Sequence, residues 1–219
     1  MASRVVPGVP MADIGTDHAR LPAWLVRSGT VPTALAMDIA EGPLRAAHAT
    51  VRSLSGTVEV RSSNGLERLQ DGEAGTVTIC GMGGQTMSEI LRRGLPELPS
   101  LLRVVVQPQS LPALVRSVML DLDWHCPDAV IVREREKLYI VECWERGTPV
   151  SPWSAEDLRW GRPIRSSPDP LYRDWLVREL AEVELGLEKM LRTVHEHHPD
   201  AVRYRELRAQ VVTEVARLP

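Results

Sequence analysis

Through residue 146 the chain alternates short apolar, β-rich runs with stretches of helical period. The runs at 9–14, 33–37, 57–61, 76–80 and 102–106 predict strands, bounded by Gly, Pro and polar clusters. Between them, 22–28, 43–54, 85–93 and 111–122 repeat apolar residues at helical spacing. That alternation predicts a parallel sheet with helices on both faces. The runs at 129–132 and 138–144 differ, because only the five residues "REREK" (133–137) separate them. Such a gap is too short for a crossover helix and predicts an antiparallel hairpin. The result is a doubly wound α/β fold: a mostly parallel sheet ending in an antiparallel hairpin.

A change of pattern follows at 148–170, where Pro149, Pro152, Pro163, Pro168 and Pro170, with Gly161, predict a linker. Beyond it Leu176, Leu180, Val183, Leu187, Met190 and Val194 are spaced alternately by four and three, one stripe of a long amphipathic helix. His197-His198-Pro199-Asp200 interrupts it, and Leu207, Val211, Val215 and Leu218 mark one face of a second helix. A helical hairpin over 171–219 is expected, able to pack within the chain or across a dimer. The organisation is thus a domain at 1–147, a linker at 148–170 and the hairpin at 171–219.

Composition adds limits. The 219 residues are 43% apolar, enough for a sizeable core, and no run reaches the 18 apolar residues of a membrane span. The opening "MASRVVPGVP" lacks a charged-then-apolar secretory pattern, which points to a cytoplasmic protein. Cys80, Cys126 and Cys143 form no C-x-x-C pair and read as reduced thiols rather than a zinc site. His195, His197 and His198 read as a solvated helix end, so no metal is expected. The net charge of -3 carries no global signature of nucleic-acid binding. Yet every cation except Lys137 and Lys189 is Arg, the better phosphate ligand.

The candidate chemistry gathers at the ends of the predicted strands, where doubly wound sheets bind ligands. The first strand runs into "ADIGTDHARLP" (12–22), crowding Asp13, Thr16, Asp17, His18 and Arg20 around Gly15. With Pro22 suited to open a helix, 16–21 becomes a loop over a pocket. No G-x-G-x-x-G occurs, since the next glycine is Gly29, so a dinucleotide site is disfavoured. Asp38 and Ile39 follow in "ALAMDIAEG", where a carboxylate can accept ribose hydroxyls. Asn64 and Gly65 follow in "RSSNGLERL", where an amide can meet an adenine edge. A nucleoside without phosphates, met by carboxylates, points to S-adenosylmethionine. "TICGMGGQT" after the fourth strand brings Cys80, Gly81, Met82, Gly83 and Gly84 to the place of a methyl acceptor.

Together "ADIGTDHARLP", "GMGG", "VVQPQS" and "REREKLYIVECWERG" resemble the bacterial tRNA adenine-N1 methyltransferases that modify adenine 22, in the same order and over residues 11–147. The resemblance implies a Rossmann-like class I methyltransferase fold, with tRNA as partner and S-adenosyl-L-methionine as cofactor. It implies cofactor contacts at Asp13, Gly15, Asp17, His18, Asp38 and the Asn64–Gly65 pair, with Thr16, Ile39 and Cys80 beside them. The family usually carries Asp where Asn64 stands. Adenine N1 has its own lone pair, so alignment of donor and acceptor suffices and no covalent nucleophile is needed. Asp17, with the Gly81–Gly84 carbonyls, is the candidate to stabilise the cationic base as it forms. The chain lacks a [DN]-P-P-[YF] motif, which favours a ring nitrogen over an exocyclic amine. A small-molecule methyltransferase and a non-catalytic module binding protein through its helical hairpin are the alternatives.

Overall fold

The computed structural model describes all residues except Ser55, Pro168, Thr193, Val194, Glu196 and Pro219. Seven strands, β1 (Met11–Ile14), β2 (Ala34–Asp38), β3 (Val58–Ser62), β4 (Thr76–Gly83), β5 (Arg103–Ser110), β6 (Trp124–Glu134) and β7 (Lys137–Arg146), form one sheet. Its order is β3-β2-β1-β4-β5-β7-β6. β1 to β5 are parallel, and β7 runs antiparallel to both β5 and β6. This is the mixed doubly wound fold that the alternation predicts. The chain leaves β1 toward β2 and β3, then returns to place β4 on the other side of β1. The carboxyl ends of β1 and β4 therefore flank the crevice where such sheets take ligands.

The helices α1 (Arg20–Arg27), α2 (Glu41–Val51), α3 (Gly84–Gly94) and α4 (Pro112–Asp121) cover the sheet. Strand residues alternate between the faces, as the two-residue period requires. Met11, Ala34 and Ala36 pack with Ala23 and Leu25 of α1 and Ala47 of α2. Ile14, Leu35, Met37, Val77 and Ile79 pack on the other face with Met87 and Leu91 of α3 and Val115 and Met119 of α4. α1 begins at Arg20, two residues before the expected Pro22, and shortens the loop to 16–19. Pro22 is then the third residue of the first turn, where its missing N–H has no intrahelical partner to lose. The β6–β7 turn is tighter than expected: only Arg135 and Glu136 separate the strands, with Arg135 at φ +52°.

The segment expected as a linker is ordered. It carries α5 (Ala155–Trp160) and α6 (Arg162–Ser166), and Trp160 and Ile164 are buried. Ser154 and Asp157 close a capping box at the start of α5. Arg162 donates to the carbonyl of Ser151 and to Asp157, while Trp153 stacks on Trp144 with ring centroids 5.6 Å apart. Pro163 sits in the first turn of α6, so here proline starts a helix rather than unwinding one. By its contacts the chain divides into Met1–Ser167 and Pro168–Pro219, which assigns this strap to the first unit. Pro168 itself lies outside the described residues.

Arg116 of α4 fastens the strap. Its Nε donates to Glu142 Oε1 of β7 at 2.6 Å, and its Nη1 donates to the carbonyls of Leu158 and Arg159 at 2.8 and 2.6 Å. Both charged side chains are 0% exposed. Gly161, at φ +88°, leaves room for the guanidinium: a Cβ there would lie 3.1 Å from Nη2.

The second unit is the expected helical hairpin, α7 (Tyr172–Leu191) and α8 (Pro199–Arg217). Tyr172 donates to Glu214 Oε1 at 3.0 Å, and Arg208 pairs with Glu184 at 2.7 Å, so the two helices run antiparallel. Gly186 admits the Tyr204 ring, which a Cβ would meet at 2.5 Å. Leu176 and Val183 of the expected stripe are buried, Leu180, Leu187 and Met190 partly so, and Val194 lies outside the described residues. Among the described residues no helix is long and apolar enough to cross a membrane.

Removing one partner of a buried pair strands the other charge. Arg116→Met is expected to cost about 3–5 kcal/mol in urea denaturation. The double variant Arg116→Met/Glu142→Leu is expected to regain most of that loss. A single variant as stable as the parent would show that the pair does not hold the strap.

Candidate functional site

The site grows from the end of β1. Asp13 stands directly opposite Thr78 of β4 in the parallel register. Its carboxylate accepts from Thr78 Oγ1 at 2.5 Å and from Thr16 Oγ1 at 2.8 Å. Burial pushes the Asp13 carboxyl above its ordinary range, the two hydroxyls pull it back, and the charge of Asp38 adds to the rise. Thr78 is a site residue that the sequence reading missed. The signal was present in "TVTIC": Thr76 and Thr78 alternate with Val77 and Ile79, which places a polar stripe on the face shared with Asp13.

Gly15 follows at φ +72°, and both its N–H and that of Thr16 donate to the Met37 carbonyl at the end of β2. A Cβ on Gly15 would lie 2.1 Å from Cε of Met82, so the "GMGG" loop presses onto the β1 turn. Asp17 and His18 are exposed and pair with each other at 3.2 Å. His18 and Ala19 both hold positive φ, +59° and +50°, before α1 begins. For side chains other than Gly such backbone is uncommon. It turns the chain at once from the strand end into the helix.

Asp38 ends β2, and its Oδ1 accepts from the Ala40 N–H at 2.7 Å. Its other oxygen has no partner among the described residues. Ile39 beside it is 66% exposed, an apolar side chain open at the rim. The Ser63 N–H donates to the Asp38 carbonyl, which draws the end of β3 alongside. Gly65, at φ +61°, lies against Ile90 of α3. Asn64 points differently from expectation: its Nδ2 donates to Glu67 at 2.8 Å, which ties one of its two N–H groups inside its own loop.

Beyond β1, Cys80 lies near the Met1 sulfur at 3.5 Å, and burial raises its thiol far above the ordinary range. Gly81 is at φ +77°, and Gly83 precedes α3, whose first residue is Gly84. Two residues of "VVQPQS" hold this loop, a role absent from the sequence reading. The Gly81 N–H donates to Gln107 Oε1 at 3.0 Å, and the Gly84 N–H donates to Ser110 Oγ at 3.3 Å. The register of β4 against β5 shifts twice, between Cys80 and Met82 and between Met82 and Gly83. Those shifts bend the glycine segment within the ladder, where Met82 and Gly83 still pair with Pro108 and Ser110.

The candidate residues therefore share one rim, built from the carboxyl ends of β1 to β5. Asp38 with Ile39 offers a carboxylate acceptor beside an apolar surface, a pairing able to take a sugar's hydroxyls and the face of a base. The glycine loop faces them across Gly15.

The family model described as TrmK, tRNA (adenine(22)-N(1))-methyltransferase, matches residues 11–215. The tRNA (adenine(22)-N(1))-methyltransferase of Bacillus subtilis (strain 168) is 35% identical over 149 residues. That match covers 67% of this chain and 63% of the relative, so the chain spans less than two thirds of it. Two solved structures are alike over nearly the whole chain. A candidate tRNA (m1A22) methyltransferase of Streptococcus pneumoniae, in complex with S-adenosyl-L-methionine, has a TM-score of 0.87 at 27% identity, covering 98% of this chain and 95% of that one. The B. subtilis m1A22 tRNA methyltransferase TrmK has a TM-score of 0.85 at 26% identity, with the same coverages. The motifs, the strand order and these matches agree: the chain belongs to the TrmK family of tRNA (adenine(22)-N(1))-methyltransferases.

Proposed function

We propose that this protein transfers a methyl group from S-adenosyl-L-methionine to N1 of adenine 22 in tRNA. The observation that carries this reading is the contact of the two motifs, with the Met82 methyl against Gly15 at the crevice between β1 and β4. The family and the relative solved with that cofactor supply its chemical identity.

The residues divide the work. Asp38 accepts ribose hydroxyls through its unpartnered oxygen, and Ile39 covers a face of the donor's adenine. Gly15 keeps the β1 turn thin where the ligand passes. Asp13, through Thr16 and Thr78, fixes the shape of that turn from below. The bound cofactor supplies an electrophilic methyl on a sulfonium. The target N1 uses its own lone pair, so no side chain has to remove a proton first. The base gains a positive charge, and the Asp17 carboxylate with the carbonyls of Gly81–Gly84 stabilises it as it develops. Positioning contributes most: well-oriented reactants gain about 7–11 kcal/mol over free encounter. Self-association through the second unit would use apolar side chains left exposed there, Val177, Leu185, Val202 and Val212.

Incubation with labelled S-adenosyl-L-methionine and unmodified tRNA transcripts is expected to yield 1-methyladenosine, identified by mass spectrometry of the nucleosides. Replacing adenine 22 with guanine is expected to abolish it. Cofactor binding without transfer to tRNA would overturn the choice of acceptor.

The Asp13 carboxyl gives a second check. Its folded value lies above the unfolded one, so the folded state loses stability as pH rises from about 4 through the raised value. Asp13→Asn cannot ionise. Its Tm relative to the parent is therefore expected to improve as pH rises from about 4 and to level off above the raised value, while its cofactor affinity falls. A Tm difference independent of pH would show that Asp13 is not held against its ionisation.

A further inference from the structure

The end of β5, Gln107-Pro108-Gln109-Ser110, has a role beyond holding the glycine loop. Gln107 is 8% exposed and spends its amide oxygen on the Gly81 N–H, while Ser110 takes the Gly84 N–H. A Cβ on Gly84 would lie 2.3 Å from the Ser110 carbonyl and 2.7 Å from that of Leu111, so loop and strand touch backbone to backbone. Pro108, in register with Met82, restricts the strand between the two glutamines. Gln109 is thus carried on a braced support.

Gln109 is the one residue of this stretch with no β4 partner, at the register shift between Met82 and Gly83, and it is exposed. Its carboxamide has no hydrogen-bond partner among the described residues. Its Nε2 lies 3.7 Å from where a Cβ of Gly81 would stand, and Gly81 has none. A free, braced carboxamide therefore stands beside the loop where the acceptor base is expected.

The reaction limits how that base can be recognised. N1 must stay open to attack, so adenine has to be read elsewhere, and its N6–H and N7 lie side by side on the adjoining Hoogsteen edge. A carboxamide matches this pair, accepting from N6–H and donating to N7. Guanine presents O6 and N7 there, two acceptors, and leaves the carboxamide oxygen facing another oxygen. Asp17 cannot substitute, because an ionised carboxylate only accepts and has nothing to donate to N7. We infer that Gln109 recognises the target adenine through its N6–H and N7 edge and is a specificity residue of this enzyme. The inference rests on the methyltransferase reading of the site.

The test uses tRNA carrying either adenine or 7-deazaadenine at position 22, the latter having C–H in place of N7. The parent is expected to lose about 10-fold or more in kcat/KM on the 7-deaza tRNA. Gln109→Ala is expected to lose on the order of 10- to 100-fold on adenine, with unchanged cofactor affinity and Tm, and little further on 7-deazaadenine. Gln109→Glu, which keeps the shape and cannot donate, is expected to be equally indifferent to N7. A 7-deaza penalty of the same size in parent and variants overturns the inference. So does a parent indifferent to N7, a result that needs no variant to fold. A parent that transfers no methyl to adenine-containing tRNA overturns the methyltransferase reading itself, and the role of Gln109 with it.

Discussion

The pairing of Asp13 with Thr78 is the constraint around which the site is arranged. It joins β1 to β4 where the strand order reverses, and it brings a carboxylate into the sheet at a cost visible in its raised pKa. The cost is tolerable because two hydroxyls donate to the two carboxylate oxygens. With Asp13 held, the next three residues have little freedom. Gly15 and Thr16 bond to the end of β2, Met82 settles on Gly15, and the backbone enters α1 through two left-handed residues.

Two faces of that turn are finished by different means. On the β2 side, backbone bonds link the ends of β1, β2 and β3, leaving Asp38 and Ile39 at the rim. On the β4 side, side chains do the work, because the register shifts disturb the ladder at the glycine segment and two of its N–H groups take side-chain acceptors. Gln107 and Ser110 provide them. A loop built this way holds its shape without side chains of its own, which leaves open space where a base has to enter.

Farther from the site, the Arg116–Glu142 pair ties α4, β7 and the strap into one body. Burying both charges costs desolvation. Three hydrogen bonds from one guanidinium, two of them to carbonyls at the end of α5, offset part of it and select one arrangement of the strap. Trp144 and Trp160 are buried as well, and Trp153 stacks on Trp144, which adds apolar contact between strap and sheet.

The amino-acid order by itself determined the elements, the parallel sheet with its antiparallel hairpin, the helical pair of the second unit, and the motifs that mark the family. These depend on local periodicity and on residue types such as Gly15 and Asp38, whose backbone and side-chain demands are visible one segment at a time. The strap was misread because proline and glycine report local turns, whereas its order comes from Trp160, Ile164 and Arg116, which meet only after folding. Thr78, Gln107 and Ser110 were given no individual role for the same reason: each acquires one from a neighbour 26 or 65 positions away. The Asn64 amide turns to Glu67, a choice between partners that only the assembled loop decides.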